Sequence, residues 1–386
     1  MERPKRFQLS SILTISIAHM IHDIYTSFLA PILPLLIEKL TISYAMAGFL
    51  SMVQRLPSLL NPFVGIIADK ISVRYFIIIA PTIAAVSMSL LGAAPHYIAL
   101  VILLFVMGIG STIFHVPGPV MIKQVAGDRI GKGMSYYMLG GEIARTVGPL
   151  TILGAVSLWG LEGTYRLIPF GVAASLILFW RLKKIKISKV FIKDKKENSV
   201  FQTLLQYLPL FITLTGIILF RSTLKSALTT FLPTYMTAKG ESLWFGGISL
   251  SILQFAGAGG SFFCGTISDK IGRKATLLIV SILSPVFMIL FAFLDGIFVT
   301  PLLTILGFSI FAQGPVLLAV IQDLNSERPA FINGVYMTIN FMVGSIGVLA
   351  VGILGDVIGL ENTYILSAVL AVGAIPFVLK LPGKKK

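Results

Sequence analysis

Apolar segments of about 20 residues recur along the whole chain and alternate with short polar stretches. An α-helix of that length spans the hydrocarbon core of a bilayer, which is roughly 30 Å thick. We predict twelve such helices, near 10–37, 43–69, 73–94, 97–122, 133–157, 163–181, 205–236, 243–268, 275–294, 298–320, 331–355 and 362–380. Because 56% of the 386 residues are hydrophobic and only 12% are charged, an ordinary soluble domain is excluded. The chain is predicted to be an all-α, multi-pass protein of the cell membrane.

The basic residues outside these spans lie mostly on one side of the membrane. If the N-terminus is cytoplasmic, the inside segments carry 24 Lys and Arg residues and the outside loops carry three, Lys39, Arg166 and Lys239. Cytoplasmic loops carry an excess of Lys and Arg, so we predict that both termini are cytoplasmic. This asymmetry also accounts for the net charge of +15. No nucleic-acid partner is therefore expected.

Short motifs are duplicated at a spacing of about 200 residues, as in internal repeats. The decapeptide GIIADKISVR (65–74) recurs as GTISDKIGRK (265–274), and GKGMSYYM before the fifth span has a counterpart in INGVYM before the eleventh. Such repeats are typical of transporters built from two related bundles. We predict an N-terminal six-helix half (1–181), a cytoplasmic linker (182–204) and a C-terminal six-helix half (205–386).

Six charged residues lie inside the predicted spans, where each costs roughly 2.5–3.5 kcal/mol if it faces lipid. They are Asp23, Arg55, Glu142, Arg145, Arg221 and Lys225. They must therefore face one another or a water-filled cavity. Two polar stripes support this interpretation, one on the first span and one on its repeat counterpart, the seventh. The stripes consist of Ser16, His19, Asp23 and Thr26, and of Arg221, Ser222, Lys225 and Thr229. We expect the two stripes to oppose each other.

Positive charge exceeds negative charge among these six residues. Such a surplus favours an anion held by guanidinium groups, for example a carboxylate or a phosphonate. We predict Arg55, Arg145, Arg221, Lys225 and the nearby His115 as substrate-binding residues. Glu142 and Arg145 are three residues apart on one helix, so they could equally form a structural pair.

Transport by such a chain requires an energy source. No nucleotide-binding motif of the form GxxxxGK[ST] occurs, and no cofactor is expected. Histidine changes its protonation between pH 5 and 8, so protons are the natural coupling ion. We predict Asp23 as the proton carrier, followed by His22, His19 and Glu142.

The two decapeptides resemble the signature between the second and third helices of the major facilitator superfamily. That signature has Gly, a small residue, Asp, a basic residue, Gly and further basic residues, and the first copy has Ser72 in place of its second Gly. The resemblance covers nearly the whole chain and implies alternating access of two halves. It also implies gating roles for Asp69 and Arg74 in one copy, and for Asp269 and Arg273 in the other.

The fourth span contains GIGSTIFHVP, which is similar to the fosmidomycin-resistance branch of that superfamily. The branch has Gly-x-Gly-Ser-Ser/Thr-x-Phe-His-Pro, whereas Val116 separates His115 from Pro117 here. His115 could also serve only to bond backbone groups that the prolines free. The resemblance favours drug efflux by antiport, with the small organic anion predicted above as the substrate. The fold needs no partner chain, so a monomer is expected.

Three other functions compete with the transport of an organic anion. His19, His22, Asp23 and His115 are residues suited to binding zinc, copper or nickel, so divalent metal transport is the main alternative. A membrane-embedded hydrolase is not expected, since neither HExxH nor GxSxG occurs. A receptor without transport would leave the duplicated loops unexplained.

Overall fold

The computed structural model describes residues 7–61, 74–127, 129–182, 200–324 and 329–382, and in these residues all regular structure is helical. The α-helices are α1 (Leu9–Thr26), α2 (Leu29–Leu40), α3 (Tyr44–Arg55), α4 (Arg74–Ser89), α5 (Tyr97–His115), α6 (Pro117–Val125), α7 (Ile130–Trp159), α8 (Ile168–Leu182), α9 (Val200–Ser226), α10 (Leu232–Ala238), α11 (Leu243–Ile271), α12 (Arg273–Phe293), α13 (Val299–Gln322), α14 (Pro329–Val372) and α15 (Ala374–Lys380). Short 3₁₀ helices occupy Leu56–Leu60, Leu91–Ala93, Glu162–Leu167 and Gly296–Phe298, and Ala227–Phe231 is a π-helix.

Within the described part of the chain, nine helical stretches are long and apolar enough to cross a membrane. The last, Ile332–Lys380, contains both the eleventh and the twelfth predicted span, which meet at Gly359 with a φ of 78°. The fifth predicted span is the 30-residue helix α7. The second is described only as far as residue 61. The all-helical, membrane-spanning architecture is confirmed, while the count of twelve and the side of the termini stay predictions.

The first and seventh predicted spans are both interrupted, at corresponding positions of the repeat. The first divides into α1 and α2 because Pro31 has no N–H to bond the carbonyl of Ser27. The hydroxyls of Thr26 and Ser27 bond back to the Asp23 carbonyl at 2.9 and 2.8 Å. In the seventh span a π-helix precedes Pro233. In both spans the regular α-helix is therefore interrupted next to the polar stripe.

The described residues form two compact units, Met1–Ile42 with Val53–Ile192 and Ser43–Met52 with Lys193–Lys386. In the first unit α1 packs closely against α7. A Cβ atom at Gly140 would lie 2.4 Å from the carbonyl oxygen of Ser16, so only glycine allows the two helices to approach this far. This contact brings the polar stripe of α1 against α7.

In the second unit, Asp356 of α14 caps the N-terminus of α3. Its two carboxylate oxygens accept hydrogen bonds from the backbone N–H groups of Tyr44 and Ala45 at 2.7 and 2.8 Å. These N–H groups have no partner within their own helix, and a carboxylate also complements the positive end of the helix dipole. Asp356 thus adds to the cap from the helix's own sequence, in which Oγ of Ser43 accepts from the Met46 N–H at 3.2 Å.

Candidate functional site

A cluster of two histidines and one aspartate lies in the first unit. The Nε2 atom of His19 is 3.3 Å from Oδ2 of Asp23, and the Nε2 atom of His115 is 3.2 Å from Oδ1. His19 and Asp23 are one helical turn apart on α1, whereas His115 is the last residue of α5. The side chains of His19 and Asp23 are buried, while 38% of the His115 side chain is exposed. The cluster is therefore reached from the surface through His115.

The protonation of His19 follows from its second contact. Its Nδ1 atom lies 2.7 Å from the carbonyl oxygen of Tyr137 on α7. A carbonyl oxygen only accepts, so Nδ1 carries the proton and a neutral ring presents a lone pair at Nε2. That lone pair faces the carboxylate of Asp23, and two acceptors in contact repel each other. One additional proton on either group converts the contact into a charge-assisted hydrogen bond.

His22 is fully buried beside this cluster. Its ring stacks on Phe114 with centroids 4.6 Å apart and an interplanar angle of 7°. The Ala80 backbone approaches the ring, but among the described residues neither ring nitrogen has a partner with hydrogen-bond geometry. His22 therefore packs as an aromatic ring, and a role in proton transfer stays a prediction.

Arg145 and Glu142 form the pair that their spacing predicts. The Nη2 atom of Arg145 lies 3.3 Å from Oε1 of Glu142. Arg145 also lies close to the cluster, because a Cβ at Gly141 would be 2.7 Å from Cε1 of His19 and 3.3 Å from Nη2 of Arg145. A proton bound at His19 would thus change the electrostatic surroundings of Arg145.

Arg221 of α9 is buried in the second unit with only one hydrogen-bond partner among the described residues. Its Nη2 donates to Oγ of Ser284 at 3.1 Å, while Nε and Nη1 have none. A guanidinium group retains its charge in proteins, and a buried charge without a partner is costly. Arg221 therefore has two donors available to an anion.

The other predicted cationic residues differ from Arg221. Lys225, one turn further along α9, is exposed and places Nζ 5.5 Å from the centre of the Phe311 ring. Arg55 is half-buried at the end of α3 in the first unit. Arg221 and Lys225 thus lie on the same stripe of α9, but Arg221 is buried and Lys225 is exposed.

The predicted gating residues are described in the second decapeptide. Arg273 contacts Oδ1 of Asp269 at 2.5 Å through Nη1 and Oδ2 of Asp323 at 3.1 Å through Nε. Gly272 between them has a φ of 99°, a conformation that favours glycine. In the first copy, Arg74 begins α4 and contacts Tyr75, while Asp69 lies outside the described residues.

Three of the predicted metal ligands come together. The ligand atoms of His19, Asp23 and His115 lie within 4.8 Å of one another, so this donor set could accept a divalent cation. The fourth, His22, is not part of that set. The Nδ1 atom of His19 is hydrogen-bonded to the carbonyl oxygen of Tyr137, so only Nε2 is left to bind a metal ion.

Sequence reasoning missed two residues that shape this site, Tyr137 and Phe114. Tyr137 supplies the carbonyl that fixes the His19 ring and stacks on it with centroids 4.0 Å apart. Phe114 stacks on both His19 and His22. Phe114 stands next to His115 in the quoted motif, whereas nothing in the spacing of Tyr137 indicates its contact with α1.

Comparison with known proteins identifies the family. The sequence profile of the Major Facilitator Superfamily matches residues 15–348. The fosmidomycin resistance protein of Escherichia coli (strain K12) is 24% identical over 366 residues, which cover 92% of this chain and 89% of that protein.

Solved structures share the fold. A bacterial homolog of the human lysosomal transporter Spinster, in an inward-facing and occupied conformation, has a TM-score of 0.83 at 15% identity and covers 97% of this chain and 96% of that chain. A D-xylose–proton symporter has a TM-score of 0.75 at 13% identity, with coverages of 97% and 98%. The profile covers most of the sequence and these relatives are transporters. The chain is a multi-pass membrane protein that belongs to the Major Facilitator Superfamily.

Proposed function

We propose that the chain is a secondary active transporter that exports a small organic anion in exchange for protons, by alternating access of its two halves. The observation that best supports proton coupling is the contact between His19 and Asp23, two acceptors that require one more proton. No other energy source is indicated, since the sequence lacks a nucleotide-binding motif.

The proton site consists of three residues with separate roles. His115 is partly exposed and contacts Asp23, so it delivers the proton. Asp23 and His19 share the proton between them, and Tyr137 holds the His19 ring in place. Arg145 next to His19 senses whether the proton is bound.

The surroundings of Arg221 favour an anionic substrate. Its Nε and Nη1 atoms have no hydrogen-bond partner among the described residues, so the guanidinium retains N–H donors for a carboxylate or phosphonate. Lys225, one turn away and exposed, adds positive charge to the same stripe. An anion at Arg221 would offset the cost of burying this cation.

Both the similarity to the fosmidomycin resistance protein and the energetics of exchange favour export. A protein that confers fosmidomycin resistance fits removal of the drug from the cell. An inward proton gradient can drive export uphill only by exchange, so export implies antiport. A monomer suffices, since each proposed role is filled by one chain.

Transport into proteoliposomes, with labelled fosmidomycin as the probe, tests this proposal. Exchange predicts uptake when the lumen is acidic, and loss of uptake when a protonophore is added. Uptake driven by an acidic exterior instead would indicate symport. Equal fluxes without a gradient, with an acidic lumen and with an acidic exterior would contradict proton coupling.

Metal transport and catalysis are not proposed. The His19, Asp23 and His115 donor set could accept a metal, but the relatives named above do not favour metal transport, and four cations in the spans oppose a divalent cargo. Membership of a transporter family likewise indicates a transporter rather than a hydrolase or a receptor.

A further inference from the structure

A groove of about 460 Å³ lies on the surface of the first unit, between α1 and α8. It extends along α1 from Leu9 to Ile21 and is lined largely by aliphatic side chains. The two helices are antiparallel, because the hydroxyl of Tyr25 near the end of α1 bonds the Leu167 carbonyl just before α8. Arg181, near the end of α8, therefore lies beside the beginning of α1.

The groove is polar at one end only. Arg181 lines it together with the hydroxyl residues Ser10 and Thr14, whereas Ile17 and Ile21 line the part further along α1. Arg181 is exposed and has no ion-pair partner among the described residues. Its side chain is available to a ligand that is negatively charged at one end and apolar along its length.

A second groove on α8 provides an internal comparison. It measures about 310 Å³, lies between α8 and α4, and no charged residue lines it. Two of the hydroxyl groups that line it, those of Thr82 and Ser175, form a hydrogen bond with each other at 2.8 Å. The acyl chain of any lipid can cover an apolar surface of this kind. The first groove differs from the second because one of its ends carries a charged residue.

The dimensions of the first groove match one membrane leaflet. The thirteen residues from Leu9 to Ile21 rise by roughly 18 Å as an α-helix, close to half of the ~30 Å hydrocarbon core. Arg181 is followed in the sequence by Lys183, Lys184 and Lys186. Basic residues at a helix end attract anionic lipid head groups.

We propose that this groove is a binding site for one anionic phospholipid, with the phosphate at Arg181 and an acyl chain along Leu13 and Ile17. The hydroxyl of Ser10 is placed to donate to the head group, while the apolar wall holds the chain. The proposal does not depend on the substrate or the direction of transport.

Native mass spectrometry of the purified full chain tests this site. The protein is mixed with equal amounts of phosphatidylglycerol and phosphatidylcholine that carry identical acyl chains, and the bound lipids are counted. We expect a preference for one phosphatidylglycerol molecule, reduced about fivefold by Arg181→Gln, which corresponds to roughly 1 kcal/mol. Ile17→Trp, which fills the groove at a residue that is 51% exposed, should also displace the lipid.

Two variants serve as matched controls. Lys123→Gln removes an exposed basic residue of α6 outside the groove, and Ile79→Trp fills the second groove at a residue that is 50% exposed. Both should keep the preference for phosphatidylglycerol. Equal binding of the two lipids, or equal effects of test and control variants, would overturn the proposal. Displacement of the lipid from the unaltered protein by fosmidomycin would assign the groove to substrate instead.

Discussion

The Nε2 atom of His19 lies 3.3 Å from Oδ2 of Asp23, and the other nitrogen of the same ring is bonded to a carbonyl oxygen. This hydrogen bond determines which of the two ring nitrogens carries the lone pair. The contact between His19 and Asp23 is therefore repulsive without an added proton and attractive with one. This contact is the observation on which the proposed proton coupling rests.

Replacement of Arg221 should separate stability from transport. Arg221→Met removes a buried charge with two unpaired donors, so we expect a melting temperature a few degrees above that of the unaltered protein. Transport should fall, because a hydrogen bond to a charged group contributes about 1.5–3 kcal/mol, or roughly 10–100-fold in apparent affinity. Thermal unfolding in detergent and transport in proteoliposomes measure the two effects.

Two controls sharpen this experiment. Arg221→Lys keeps the charge without the fork and should transport at an intermediate level. Arg166→Gln removes a cation that lies 5.8 Å from the Trp159 ring, away from the stripe, and should leave transport unchanged. Full transport by Arg221→Met would disprove the anion-binding role.

The packing of α1 against α7 predicts that replacing two different glycines of α7 by alanine has opposite effects on stability. Gly140→Ala places a Cβ atom 2.4 Å from the Ser16 carbonyl, and overpacking of this kind costs about 1–3 kcal/mol. Gly154→Ala meets nothing within 4 Å and should stabilise the helix by up to about 1 kcal/mol. Thermal unfolding of both variants under identical conditions is the measurement. Equal melting temperatures would contradict the close contact between α1 and α7 at Gly140.

Removal of the carboxylate at residue 356 should destabilise the second unit. Asp356→Ala leaves the N–H groups of Tyr44 and Ala45 without their cap, at a cost of about 0.5–2 kcal/mol. Asp356→Asn keeps an acceptor without the charge and should cost less. Thermal unfolding again provides the measurement. A destabilisation by the Asn variant as large as that by the Ala variant would argue against the capping geometry.

Much of the fold could be predicted because the cost of placing a residue in lipid depends mainly on its own side chain. Apolar segments therefore predicted a membrane-spanning, all-helical fold, and the duplicated decapeptides predict a division into two halves. The division of the first span at Ser27 was not predicted, although Pro31 carries the signal. The fifth span, α7, was predicted from its length despite the charges of Glu142 and Arg145.

The candidate site was only partly predictable. The i, i+4 spacing places His19 and Asp23 on one stripe, because this spacing is a local property of a helix. The approach of His115 from α5 and of the Tyr137 carbonyl from α7 depends on tertiary packing, which spacing within one helix does not encode. The same limit applies to Arg221 and Lys225, which share a stripe but differ in burial.

Proton counting upon substrate binding tests the central claim most directly. Fosmidomycin is added to purified protein in weakly buffered solution, and a pH indicator reports the protons exchanged per molecule bound. We expect protons to be released by the unaltered protein and none by Asp23→Asn. The control variant Asp295→Asn, altered at an aspartate paired with Lys239 outside the cluster, should behave like the unaltered protein. Equal proton release by Asp23→Asn and the unaltered protein would contradict the assignment of the proton site to Asp23 and His19.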